Sequence, residues 1–137
     1  MSVTKSKFLL NEAYGGFGFS QVFRVEFLRR NPDVTLNAFR DLEMSDAIQV
    51  RADERFVNLA IELGLQESSG THCCLAVAEV STEALSFVRI TEYDGLESFH
   101  LSFEQFALDL LHDIVSDEHT VLSAALRARY DILKDIL

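Results

Sequence analysis

Two periods of apolar residues run through the chain, one of helices and one of strands. Lys7 to Tyr14 reads as a short strand. After Ser20, a good helix N-cap, Val22, Phe23, Phe27 and Leu28 recur at helical spacing until Asn31-Pro32-Asp33 stops them. Asp53 caps a second helix with Phe56, Val57, Ala60 and Ile61 as its stripe, and Gly64 stands where a C-terminal glycine belongs. Cys73 to Val80 is almost continuously apolar, as in a central strand covered on both faces. Ser81 to Ala84 turns the chain. Phe87 to Tyr93 alternates as a half-buried strand, and Asp94-Gly95 is a strong two-residue hairpin signal with Leu96 to Leu101 as the returning strand. Val34 to Val50 mixes apolar and charged residues without a clean period. It reads as a loop, with Ala47 to Val50 as an edge strand if it pairs at all. Ser102 and Gln105 fit a capping box ahead of Phe106, Leu110 and Ile114, and a last helix starts near Thr120.

Strand runs and helix runs segregate, which predicts an α+β fold. The expectation is one small antiparallel sheet of three to four strands, packed with helices and followed by two C-terminal helices. The 137 residues are the size of one domain, and no linker divides them. Twelve Lys and Arg against 22 Asp and Glu give a net charge of −10, which argues against nucleic acid or an anionic membrane as partner. No segment reads as a membrane span or a signal peptide, so the expected location is the cytoplasm. The two cysteines, Cys73 and Cys74, are adjacent and poorly placed to bridge each other. With His72 they do not form a zinc set, because successive strand residues face opposite ways. His72, His100, His112 and His119 are scattered and fit no catalytic motif.

Four blocks carry a resemblance. They are Tyr14-Gly15-Gly16-Phe17 followed by Ser20; Arg51-x-Asp53 leading to Glu62-Leu63-Gly64; Leu75-Ala76-Val77-Ala78-Glu79-Val80; and Ile90-Thr91-Glu92-Tyr93-Asp94-Gly95-Leu96-Glu97. In this order they resemble a family of small proteins of unknown function, known mainly from phage and large DNA virus genomes. The resemblance spans residues 10–98. The segment Val34 to Val50 and the extension 102–137 depart from it. It implies a shared fold and no particular reaction.

Three clusters are candidates for chemistry. Tyr14, Gly15, Gly16, Phe17 and Ser20 make a glycine loop ahead of a helix, where backbone N–H groups and the helix dipole suit a small anion. The loop lacks the third glycine of a dinucleotide fingerprint and the Lys-Ser/Thr of a P-loop, so a tight turn also accounts for it. Arg51 and Arg55, beside Asp53, would form an arginine fork for phosphate or carboxylate, or pair with nearby acids. Glu92, Asp94 and Glu97 gather at the hairpin, where carboxylates could share a metal or a proton, or simply be a solvated tip. Phenylalanines 17, 19, 23, 27 and 39 bunch in the first third, as core or as a dimer interface. The leading expectation is a non-enzymatic, self-associating protein, a homo-oligomer with no cofactor, that binds a small anionic ligand between the glycine loop and Arg51/Arg55. The alternative is a metal-dependent hydrolase or nucleotide-processing enzyme working through Glu92 and Asp94.

Overall fold

The computed structural model describes residues 4–102 together with Ala107. The two helices expected after Leu101 lie outside the described residues. Along the chain run β1 (Lys5–Asn11), α1 (Gln21–Arg30), α2 (Leu36–Met44), α3 (Ile48–Arg51), α4 (Glu54–Leu63), α5 (Leu65–Ser68), β2 (Leu75–Ser81), a 3-10 helix (Thr82–Phe87), β3 (Val88–Tyr93) and β4 (Leu96–Leu101). Helix and strand segregate as an α+β fold. The strands, however, form two separate two-stranded antiparallel sheets, β1–β2 and β3–β4, rather than one sheet of three to four. β1 lies beside β4 without joining its ladder. The Asn11 backbone N–H donates to the Glu97 carboxylate across the gap, and Phe8 meets Phe99 edge-on at 5.1 Å between ring centres.

The β1–β2 ribbon is the middle layer. Its register runs from Lys5 opposite Ser81 to Asn11 opposite Leu75. Side chains alternate across the ribbon. Leu9, Leu75 and Val77 join the helical core, while Phe8, Leu10, Ala78 and Val80 face Ile48, Val88 and the hairpin. That double coverage explains the apolar run of β2, although among the described residues β2 pairs on one side only. The helical core is largely aromatic. Phe19, Phe23, Phe27 and Phe56 stack nearly parallel, with centres 4.0 Å apart for Phe19–Phe23 and 4.5 Å for Phe27–Phe56, and Phe39 tilts against them. Of the clustered phenylalanines, Phe19, Phe23, Phe27 and Phe39 are therefore spent inside the fold, and Phe17 is partly exposed.

Helix ends follow the sequence closely. Ser20 Oγ accepts from Phe23 N, Asp53 accepts from Arg55 N, and Gly64 takes a positive φ of 98° after α4. Two stripes differ from expectation. Val22 and Ile61 point outward, and Leu59 takes the buried place instead of Ile61. The larger correction is Val34 to Val50, which holds two helices. Thr35 caps α2 by accepting from Ala38 N. Leu36, Phe39 and Leu42 stand at helical spacing, but only Phe39 is fully buried and the helix is only nine residues long. Ala47 to Val50 is the start of α3 and not an edge strand. No helix among the described residues is long and apolar enough to cross a membrane.

Candidate functional site

The predicted site residues do meet, but on one another. Arg51 is 3% exposed, at the end of α3. Its guanidinium donates to both oxygens of Glu97, at 2.7 and 2.8 Å, and also to the carbonyls of Ser45 and Leu9. The Phe17 ring lies under it at 3.5 Å, a cation–π contact shielded from water. Glu97 in turn accepts from the backbone N–H of Asn11. The fork proposed for an outside anion is thus filled by a carboxylate of the same chain.

The glycine loop is closed in the same way. The hairpin turn takes φ values of 53° at Asp94 and 90° at Gly95, the left-handed pair of a type I′ turn. Gly95 is buried over the loop. A Cβ on it would stand 2.5 Å from Gly15 N and closer still to Gly16 N. Gly15 in turn packs against His72, whose own φ of 64° bends the chain ahead of β2. The space in front of the loop amides is therefore occupied by the hairpin tip. Asn11 ties the pieces together. It is fully buried, donates to Gly95 O and Ala13 O at 2.7 Å each, and accepts from Ala13 N and Cys74 N.

The remaining candidates lie apart. Ser20 Oγ is spent on the cap and on Glu67 O, and Tyr14 is exposed. Arg55 faces Asp53 across 2.9 Å and is not brought to Arg51's partners. Burial works to raise the Asp53 pKa, but the Arg55 side-chain and backbone hydrogen bonds outweigh it and hold the carboxyl below its ordinary value. Glu92 and Glu97 are register partners across the hairpin, yet Glu97 points to Arg51 while Glu92 is exposed. No group of three or more His, Cys, Asp or Glu among the described residues could hold a metal ion. Burial also pushes the half-buried Cys73 thiol up, and Cys74 is exposed.

Two residues of this assembly escape a sequence reading. Glu43 accepts from Phe19 N at 2.9 Å and so pins the loop to α2. It is hidden because α2 itself is hidden. Asn11 carries one local signal, an Asn just past an apolar run and ahead of a turn.

Beside this lock lies an open depression of about 430 Å³, lined by Phe17, Glu43, Met44, Asp46, Arg51, Ile90, Glu92 and Glu97. It shares Asp46 and Ile90 with a second one of about 360 Å³, lined further along by Ile48, Gln49, Val88 and Arg89. No protein family, curated protein or solved structure matches the chain.

Proposed function

We propose that this chain is a non-catalytic association domain that pairs with a second copy of itself along the free edge of β2. One observation carries the reading: the outer edge of β2, unpaired by any strand among the described residues, has none of the features that usually blunt an edge. Glu12 N donates to Cys74 O and Thr82 N to Thr4 O, which fixes the phase of the β1–β2 ladder. Even-numbered residues of β2 therefore bond to β1, and Val77 and Glu79 turn their N–H and C=O groups outward. Exposed edges are usually blunted by lysine, proline or a bulge. Leu75 to Ser81 has no lysine or proline, and Glu79 is its only charge. A two-fold pairing about Ala78 would set Glu79 opposite Val77 of the second copy and keep the two carboxylates off each other. The result would be a four-stranded sheet from two ribbons that are each marginal alone. The anionic-ligand half of the sequence expectation has no part in this reading, since both arginine forks are engaged. The proposal takes in the family resemblance as well. The resembling blocks supply Gly15, Phe17, Arg51, Gly95 and Glu97, so the shared feature would be the lock and not a reaction centre.

Light scattering after size exclusion tests it. The intact chain should elute at twice 15.5 kDa. Glu79→Pro removes an N–H that β1 does not use, so it should give a folded monomer with unchanged circular dichroism. A wild-type monomer, or a Glu79→Pro dimer, would reject the β2 interface.

A further inference from the structure

The second sheet too has an edge that no strand pairs with among the described residues, and there the surroundings say what would fit. Ser102 N donates to Phe87 O at 2.8 Å, which fixes the β3–β4 phase. Val88, Ile90 and Glu92 therefore direct their backbone polar groups away from β4. Those of Val88 are spent, its N–H on Leu85 O and its carbonyl on the Arg89 guanidinium. The N–H and C=O of Ile90 and Glu92 have no partner among the described residues. Ile90 lines both of the joined depressions, and Glu92 lines the larger. The opposite wall is the segment from Glu43 to Gln49, which leaves the α2 helix and enters α3. A strand edge facing a helical wall across a groove is the geometry in which extended peptides add as a strand.

The lining sets the partner's chemistry. Met44, 84% exposed at the end of α2, stands with Phe17 and Ile90 as apolar surface. Asp46 and Glu92 are exposed carboxylates without a cation among the described residues, whereas Glu43 and Glu97 are held by Phe19 N and Arg51. Arg51 is already neutralised, and Arg89, whose guanidinium rests on the carbonyls of Ser86 and Val88, offsets one of the two free carboxylates, so the net demand of this groove is still for positive charge.

We propose that the groove along β3 binds an extended segment of a partner protein in which basic and apolar residues alternate. The segment pairs with Ile90 and Glu92 through its backbone. Its apolar side chains rest on Met44, Phe17 and Ile90, and its Lys or Arg side chains meet Asp46 and Glu92. This site is on the opposite ribbon from β2 and does not depend on self-association.

The probe is a fluorescein-labelled peptide of four Lys-Val repeats, titrated with the full-length chain and read by anisotropy. Saturable binding is expected, with none for the Glu-Val peptide. The Asp46→Lys/Glu92→Lys variant should weaken it by about tenfold or more. A Lys-Val peptide N-methylated at alternate residues keeps its charge but cannot pair, and it should lose binding to the same degree. Glu79→Pro should bind like wild type. No saturable binding up to about 1 mM overturns the proposal. So does an N-methylated peptide that binds equally well, which would mean charge attraction without strand addition. Loss of binding in Glu79→Pro would overturn it by moving the peptide to β2. A variant lacking residues 103–137 that binds far more tightly than the full chain would also overturn it, by naming the chain's own C-terminal segment as the occupant.

Discussion

At Arg51 and Glu97, two charges have been taken out of water and matched bond for bond, at 4% and 7% side-chain exposure. Such a pair contributes little net stability over an apolar one, but breaking it leaves the survivor buried and unpaired. Arg51→Met strands the Glu97 carboxylate as well as the carbonyls of Ser45 and Leu9. It should cost about 3–5 kcal/mol in urea unfolding, and Glu97→Gln, which keeps an acceptor for Asn11 N, should cost less. If instead Arg51 waited for a ligand, Arg51→Met would leave unfolding nearly unchanged. Exposed charges behave differently. Glu26 accepts first from Arg29 and then from Arg30, and these bonds lower its pKa from 4.5 to about 2. A carboxyl with a folded pKa below its unfolded value stabilises the fold above the unfolded value, and that contribution disappears as pH falls through the folded one. The window for Glu26 is thus between about pH 4.5 and about 2. A carboxyl NMR titration should find its midpoint at the low end. In Arg29→Gln/Arg30→Gln the midpoint should return toward 4.5; a wild-type midpoint already there would show that the pairs do not persist in solution.

Among elements, the decisive contact is between the hairpin turn and the glycine loop, backbone against backbone. Gly95 and Gly16 both have positive φ, 90° and 96°, so any side chain at either is strained by about 1–2 kcal/mol. They differ in space. A Cβ at Gly16 meets nothing within 4 Å, whereas one at Gly95 runs into the loop. Gly95→Ala should therefore cost about 2–5 kcal/mol and Gly16→Ala only the strain. Equal losses on chemical denaturation would mean that the hairpin does not seat on the loop. The sequence reading reached the participants but not the contact. Ser20, Asp53, Gly64 and Asp94-Gly95 mark element ends through local backbone chemistry, and local chemistry is what a single sequence displays. Leu36, Phe39 and Leu42 do stand at helical spacing, but over only nine residues, and the charged residues between and around them obscure it. β2 is apolar because two different cores cover its two faces, so its composition says nothing of how many strands it pairs with. Gly15, Gly16 and Arg51 look like ligand-binding residues because the same properties, a bare backbone and a charged fork, serve an internal partner as well as an outside one. Only the long-range pairing of Arg51 with Glu97, 46 residues away, separates the two uses.

For the whole molecule, the charge of −10 acts on both proposed contacts, with opposite sign. Five of the seven arginines among the described residues are consumed locally: Arg24 by Glu43, Arg29 and Arg30 by Glu26, Arg30 also by Glu62, Arg51 by Glu97 and Arg55 by Asp53. The net charge of −10 makes the field negative at long range. Two copies approaching along β2 repel at long range and hold together by backbone bonds and apolar contact. A cationic segment entering the β3 groove is drawn in by that field. Salt shortens the Debye length from about 10 Å at 0.1 M to about 3 Å at 1 M. Adding it should tighten the dimer and loosen the peptide. Sedimentation equilibrium and peptide anisotropy across that salt range would show the dimer Kd falling while the peptide Kd rises. A dimer that weakens with salt would have to be held by ion pairs. The Leu75–Ser81 edge, with its single Glu79, has no opposite charge of its own to supply them, so that outcome would place the interface elsewhere on the molecule.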